Sequence, residues 1–244
     1  MKALRRWLAL APHAWARMDG DQRFCAAVVA VQCAIFALTS LDRVSNSARA
    51  FVETVYAAGC LDCRVFEGQW WRAFTHMWLH GSPFHLISNM LSLAALYAVG
   101  ARSLAPWRWF LAFLITGAAA GPLNALLEHL PPPDFSHWTG PVGLYFFQPG
   151  TAAVGASGGI TGLWGLLTAV VLRVWWMRRR GLVVRNPVRV DEQELGPAWM
   201  LGPFVLQMLL DSRMPGVAGI AHVMGFLVGL LLLPLARPVH PERE

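Results

Sequence analysis

Six apolar stretches, at 24–41, 84–101, 107–127, 157–177, 199–210 and 219–235, constrain this chain more than anything else in it. Each is long enough, or nearly so, for a helix to cross roughly 30 Å of hydrocarbon. The composition agrees: 56% of the residues are hydrophobic and only 14% are charged, against roughly 25% charged in a soluble domain. The expectation is an all-α, polytopic membrane protein with one six-span domain over 24–237. Residues 1–23 and 238–244 are read as cytoplasmic ends. The fifth stretch is short and begins next to Pro197, so it starts earlier, tilts or sits partly outside. No internal repeat stands out.

The charges orient the spans. The net charge of +6 does not point to nucleic acid, because the arginines form no stripe and fall between the apolar runs. Lys2, Arg5, Arg6, Arg17 and Arg23 precede the first span, and Arg178, Arg179, Arg180, Arg185 and Arg189 fill the fourth link. The third link, 129–150, has no Lys or Arg, and the fifth has only Arg213. In the long first link Arg43, Arg49, Arg64 and Arg72 are balanced by Asp42, Glu53, Asp62 and Glu67. The positive-inside rule then puts both termini in the cytoplasm. Lys2, Arg5 and Arg6 before a short apolar run resemble the start of a signal peptide, but Pro12 and His13 cut that run short. The scarcity of Lys beside many Arg is read as the mark of a GC-rich bacterial genome, hence a multi-pass protein of the bacterial plasma membrane. Cys25 and Cys33 are read as packing residues, and Cys60 and Cys63 as a local staple or two free thiols in an external loop.

With that orientation, spans two, four and six all run inward. His80, His85 and Asn89, then Ser157, then His222 therefore lie at one depth, near the outer face. Polar and ionisable groups in membrane segments are costly and usually mark a functional site. At about 100° per residue, His222, Gly225 and Gly229 share a helix face, and Gly158, Gly162 and Gly165 lie beside Ser157. Such small-residue faces let two helices approach until their backbones touch. A hydroxyl, an imidazole and nearby donors are the parts of an acyl-transfer site.

These residues resemble the rhomboid family of intramembrane serine proteases, over roughly Gln69 to Arg237. Gly155-Ala156-Ser157-Gly158 corresponds to the family's G-x-S-G nucleophile, and His222, followed by Gly225 and Gly229, to its base. His80, His85 and Asn89 match its H-x-x-x-x-H-x-x-x-N, and Trp71-Arg72 looks like the Trp-Arg element of its first external loop. The resemblance implies that Ser157 is the nucleophile and His222 the general base. It also makes Asn89 and His85 oxyanion donors, with the Ser157 backbone N–H, and leaves His80 as an accessory residue. Four positions after the nucleophile the family often has an aromatic residue, where this chain has Thr161. No carboxylate is placed at the depth of His222, Asp211 lying beyond the neighbouring span, so a Ser-His dyad is expected.

The implied substrates are membrane proteins with one span, cut near its top at small residues, with no cofactor and no metal. His76 and His80 have the spacing of a zinc helix, but Met77 stands where the glutamate of H-E-x-x-H would be. The second reading is a catalytically silent rhomboid-like protein that binds membrane clients. A transporter would need midplane polar groups and broken helices in related halves, and neither is seen. Oligomeric state is not legible.

Overall fold

The computed structural model describes residues 20–45, 53–55, 57–59, 61–100, 103–129, 153–185, 187–188, 197–211 and 218–238. Among the described residues six main helices carry the fold: α1 (Gly20–Ser45), α2 (Pro83–Gly100), α3 (Pro106–His129), α4 (Ser157–Arg179), α5 (Ala198–Asp211) and α6 (Gly219–Leu231). Among the described residues there is no strand, only isolated bridging such as that between Leu61 and Ala153. Helices α2 and α4 and the Pro106–Leu126 part of α3 are long and apolar enough to cross a membrane. The apolar part of α1 (Cys25–Leu41), α5 and α6 are shorter. At 1.5 Å per residue the 14 residues of α5 reach only about 21 Å, so the fifth segment is the short one that Pro197 foreshadows.

Local chemistry sets the ends. Pro83 opens α2, where a missing N–H costs nothing, and Ser82 Oγ accepts a hydrogen bond from His85 N at 3.1 Å, an N-terminal cap. Pro234 sits in the 3-10 turn Leu233–Leu235 that follows α6, since proline cannot continue an α-helical ladder. At the arginine-rich end Arg108 Nη1 donates to Leu235 O at 3.1 Å, and Arg237 N donates to Ser103 O at 2.7 Å. The tail of α6 is thereby tied to the start of α3.

Helix α4 is the hub. The share of buried residues in the apolar windows rises from 28% in α2 to 50% in α3 and 72% in α4. Leu163, Leu166, Leu167, Val170 and Val171 of α4 fill the core against Tyr97 of α2 and Trp109 and Phe113 of α3. Trp164 Nε1 donates to Met200 O at 3.0 Å, and Phe204 stacks on Phe226 with ring centroids 3.8 Å apart. Those contacts hold α5 against α4 and α6. Helix α1 packs through Cys25, Val28, Val29 and Phe36. Cys33 is exposed and is not a packing residue, because α1 meets the bundle along one side only. Cys60 and the Cys63 side chain lie outside the described residues, as does the third link from 130 to 152.

Candidate active site

The segment entering α4 is clamped before Ser157 is reached. Leu61 and Ala153 exchange backbone hydrogen bonds of 2.9 and 2.8 Å, and Gly155 N donates to His76 O at 2.9 Å. His76 is itself buried, with Nδ1 2.9 Å from Arg72 O, in the 3-10 turn His76–Trp78 that follows the short helix Arg72–Thr75. Buried Gln32 of α1 fixes the same turn, Nε2 donating to Met77 O at 3.2 Å. Burial pushes the His76 imidazole down to about 4, so it sits neutral between α1 and α2 as a structural element. Gly155 has a φ of +121°, a backbone region that side chains disfavour, and this turn delivers Ser157 to the first position of α4. Ser157 is half-buried.

The same turn rests on α2. A methyl group at Gly155 would lie 2.6 Å from Cε1 and 2.7 Å from Nε2 of His85, and 3.4 Å from Asn89 Nδ2. His85 and Asn89 therefore line the wall directly against the residues preceding Ser157. Asn89 is 7% exposed and its Nδ2 donates to Nε2 of fully buried His80 at 3.1 Å. Burial, reinforced by His85, lowers His80 to about 4, so its ring is neutral and Nε2 can accept. His80 and His85 meet edge to face, centroids 5.1 Å apart. His80 thus braces Asn89 and His85 from behind.

The crossing of α4 and α6 brings in the histidine. A Cβ on Gly225 would overlap Gly158 O, one on Gly229 would overlap Gly162 O, and one on Gly165 would overlap Phe226 O. A Cβ on Gly158 would lie 3.8 Å from Ala221 O. Ser157 and His222 consequently flank one backbone-to-backbone contact, Gly158 following the first and Ala221 and Gly225 bracketing the second. On its other face α4 meets α3, where Thr116 Oγ1 donates to Gly159 O at 3.2 Å.

The support of the His222 ring is not what the sequence suggests. Thr161 turns back on its own helix, Oγ1 donating to Ser157 O at 3.0 Å and Gly158 O at 3.1 Å. His222 Nδ1 instead lies 2.6 Å from Oδ2 of Asp211, the last residue of α5. Gln207, one turn earlier, donates Nε2 to Asp211 Oδ1 at 2.7 Å. Asp211 is 3% exposed and His222 7%. The expectation that no carboxylate stands at the depth of His222 is thus corrected. The end of α5 faces the first turn of α6, which puts Asp211 level with His222.

The family model for the rhomboid domain matches residues 67–238. The chain belongs to the rhomboid family. Rhomboid relatives include RHOMBOID-like protein 4 of Arabidopsis thaliana, 30% identical over 73% of this chain and 38% of its own length. RHOMBOID-like protein 5 of the same plant is 25% identical over 78% of this chain and 54% of its length. The Rhomboid-type serine protease 2 of Emericella nidulans is 27% identical, covering 82% of this chain and 32% of the fungal protein. The chain thus spans about a third to a half of the length of these rhomboid relatives. They are plant and fungal proteins and lend no support to the bacterial origin read from arginine usage.

Around this candidate site the structure gathers Ser157, His222, His85, Asn89 and His80, residues that the sequence singles out from α4, α6, α2 and the turn just before α2. Trp71 is exposed and Arg72 is buried, with Nε donating to Gln69 Oε1 at 2.7 Å. That places the Trp-Arg element as an anchor of the segment between α1 and α2. Asp211 and Gln207 are the residues sequence reasoning missed. The available signal was a carboxylate closing an apolar run, eleven residues before His222.

Proposed function

We propose that this rhomboid is an intramembrane serine endopeptidase that cleaves membrane-spanning proteins near the membrane face opposite the arginine-rich links. One observation carries the reading. Ser157 opens a glycine-rich helix pressed backbone to backbone against the helix of His222, with Asn89 and His85 against the turn just before it. Ser157 Oγ attacks the scissile carbonyl while His222 takes its proton, and the tetrahedral oxyanion is held by the Ser157 N–H with Asn89 and His85 as donors. Collapse breaks the C–N bond as His222 returns the proton to the leaving amine. Water then hydrolyses the ester by the same steps in reverse.

Water is a reactant, so the cavity opens to an aqueous face, and the balance of arginines supports the non-cytoplasmic side. Single-span proteins whose helices unwind readily at small residues fit such a site. The decisive experiment treats detergent-purified protein with a fluorophosphonate and a model single-span substrate. Wild type is expected to label at Ser157 and to cleave. Ser157→Ala and His222→Ala are expected to lose cleavage while inserting normally. Labelling without any dependence on Ser157, or cleavage by either variant at the wild-type rate, overturns the assignment. An inert wild type favours the client-binding reading.

A further inference from the structure

Asp211 is a costly residue where it stands. A carboxylate 3% exposed in an apolar helix must be fully partnered to be tolerated. It also lies at the C-terminus of α5, where the helix dipole disfavours negative charge, so it does nothing for the helix that carries it. Both its oxygens are spoken for, Oδ1 by Gln207 at 2.7 Å and Oδ2 by His222 Nδ1 at 2.6 Å. A separation of 2.6 Å is at the short, strong end of charge-assisted hydrogen bonds. Elsewhere α5 is positioned by neutral contacts, Trp164 to Met200 and Phe204 on Phe226, so packing has no need of an ion.

We infer that Asp211 is a positioning residue that completes a Ser157–His222–Asp211 triad, with Gln207 aligning the carboxylate. This rests on the protease reading above and deepens it. By accepting from Nδ1–H, Asp211 fixes the tautomer whose Nε2 lone pair is free for the Ser157 proton. It then stabilises the imidazolium formed when that proton arrives, without being protonated itself. Thr161 has no ring to stack on the imidazole and its hydroxyl is spent within α4, so in this chain Asp211 supplies the orientation of His222.

Asp211→Asn separates this role from a structural one. Gln207 Nε2 keeps the Asn oxygen, so the new NH2 faces His222 Nδ1 and donates to it. The ring is then held with its proton on Nε2, toward Ser157. The shape and both hydrogen bonds survive. The expected result is a fall in kcat of at least ~10²-fold and up to ~10⁴-fold, the size seen when a triad carboxylate becomes an amide, with KM within about threefold. Fluorophosphonate labelling should slow in parallel and the melting temperature should hold. A merely structural Asp211 leaves kcat near normal, because both hydrogen bonds survive the substitution.

A second measurement does not depend on any variant of Asp211 folding. In 15N-histidine wild-type protein, the signals absent from His222→Ala should report His222 protonated at Nδ1 in a strong hydrogen bond. Protonation of the neutral ring at Nε2 overturns the inference. So does an active wild type, with Ser157→Ala dead, whose Asp211→Asn turns over within threefold. A wild type that neither labels nor cleaves overturns the protease reading and the inference with it.

Discussion

Asn89 serves two neighbours with one amide. Its Nδ2 donates to the buried Nε2 of His80 at 3.1 Å, and the same nitrogen lies against the turn that delivers Ser157. One hydrogen holds His80 in place and the second is available to an oxyanion. Asn89→Ala therefore has two separable consequences. Losing an oxyanion donor should cut kcat by about 10²-fold or more, with substrate binding little changed, because such a donor acts chiefly in the transition state. Leaving His80 Nε2 buried without its partner should cost about 1–3 kcal/mol of stability. Measuring kcat, KM and melting temperature on one purified preparation resolves them. A destabilised Asn89→Ala with wild-type turnover in its folded fraction removes Asn89 from the oxyanion site and leaves it as the brace of His80.

Among the elements, the pairing of α4 with α6 is the most readable, because close approach needs glycine at fixed spacing and that spacing is visible in the chain. Gly225 and Gly229 meet the carbonyls of Gly158 and Gly162, so no rotamer change could relieve an added methyl. Gly225→Ala is expected to cost about 1–3 kcal/mol by overpacking and to slow labelling of Ser157 by moving His222. Gly202 of α5 is the internal control, since apart from its chain neighbours nothing lies within 4 Å of an added Cβ. Gly202→Ala should change stability by less than about 1 kcal/mol, the gain in helix propensity being offset by crowding of the new Cβ against Pro203, the next residue of the helix. Thermal unfolding of the two variants in one detergent checks the pair, and equal shifts would mean that α4 and α6 do not meet at Gly225. The role of α5 is much less legible. Its 14 residues read as a weak span, while its contribution depends on Trp164, Phe204 and Phe226 setting its end against His222, contacts with no signature in local spacing.

For the whole molecule, depth is the quantity that the sequence encodes best. The fourth link is rich in arginine, whereas the third has no Lys or Arg and the fifth only Arg213, and the orientation expected from that contrast levels Ser157, His222, His85 and Asn89 before any contact is known. The same expectation has α5 run outward to Asp211, and the contact of Asp211 with His222 puts the two at one level whichever way the molecule faces. What sequence could not supply was lateral position, since levelling says nothing about which helix faces which across the bundle. The orientation is testable on the intact chain. In a background lacking Cys25, Cys33, Cys60 and Cys63, a cysteine replacing His137 in the third link should react with an impermeant maleimide from outside. One replacing Arg185 in the fourth link should react only after the membrane is opened, because cationic links are retained on the cytoplasmic side. Ser157 follows the third link directly and so shares the side on which position 137 labels. Labelling of position 185 from outside, with position 137 protected, inverts the molecule and moves cleavage to the cytoplasmic face of the bilayer.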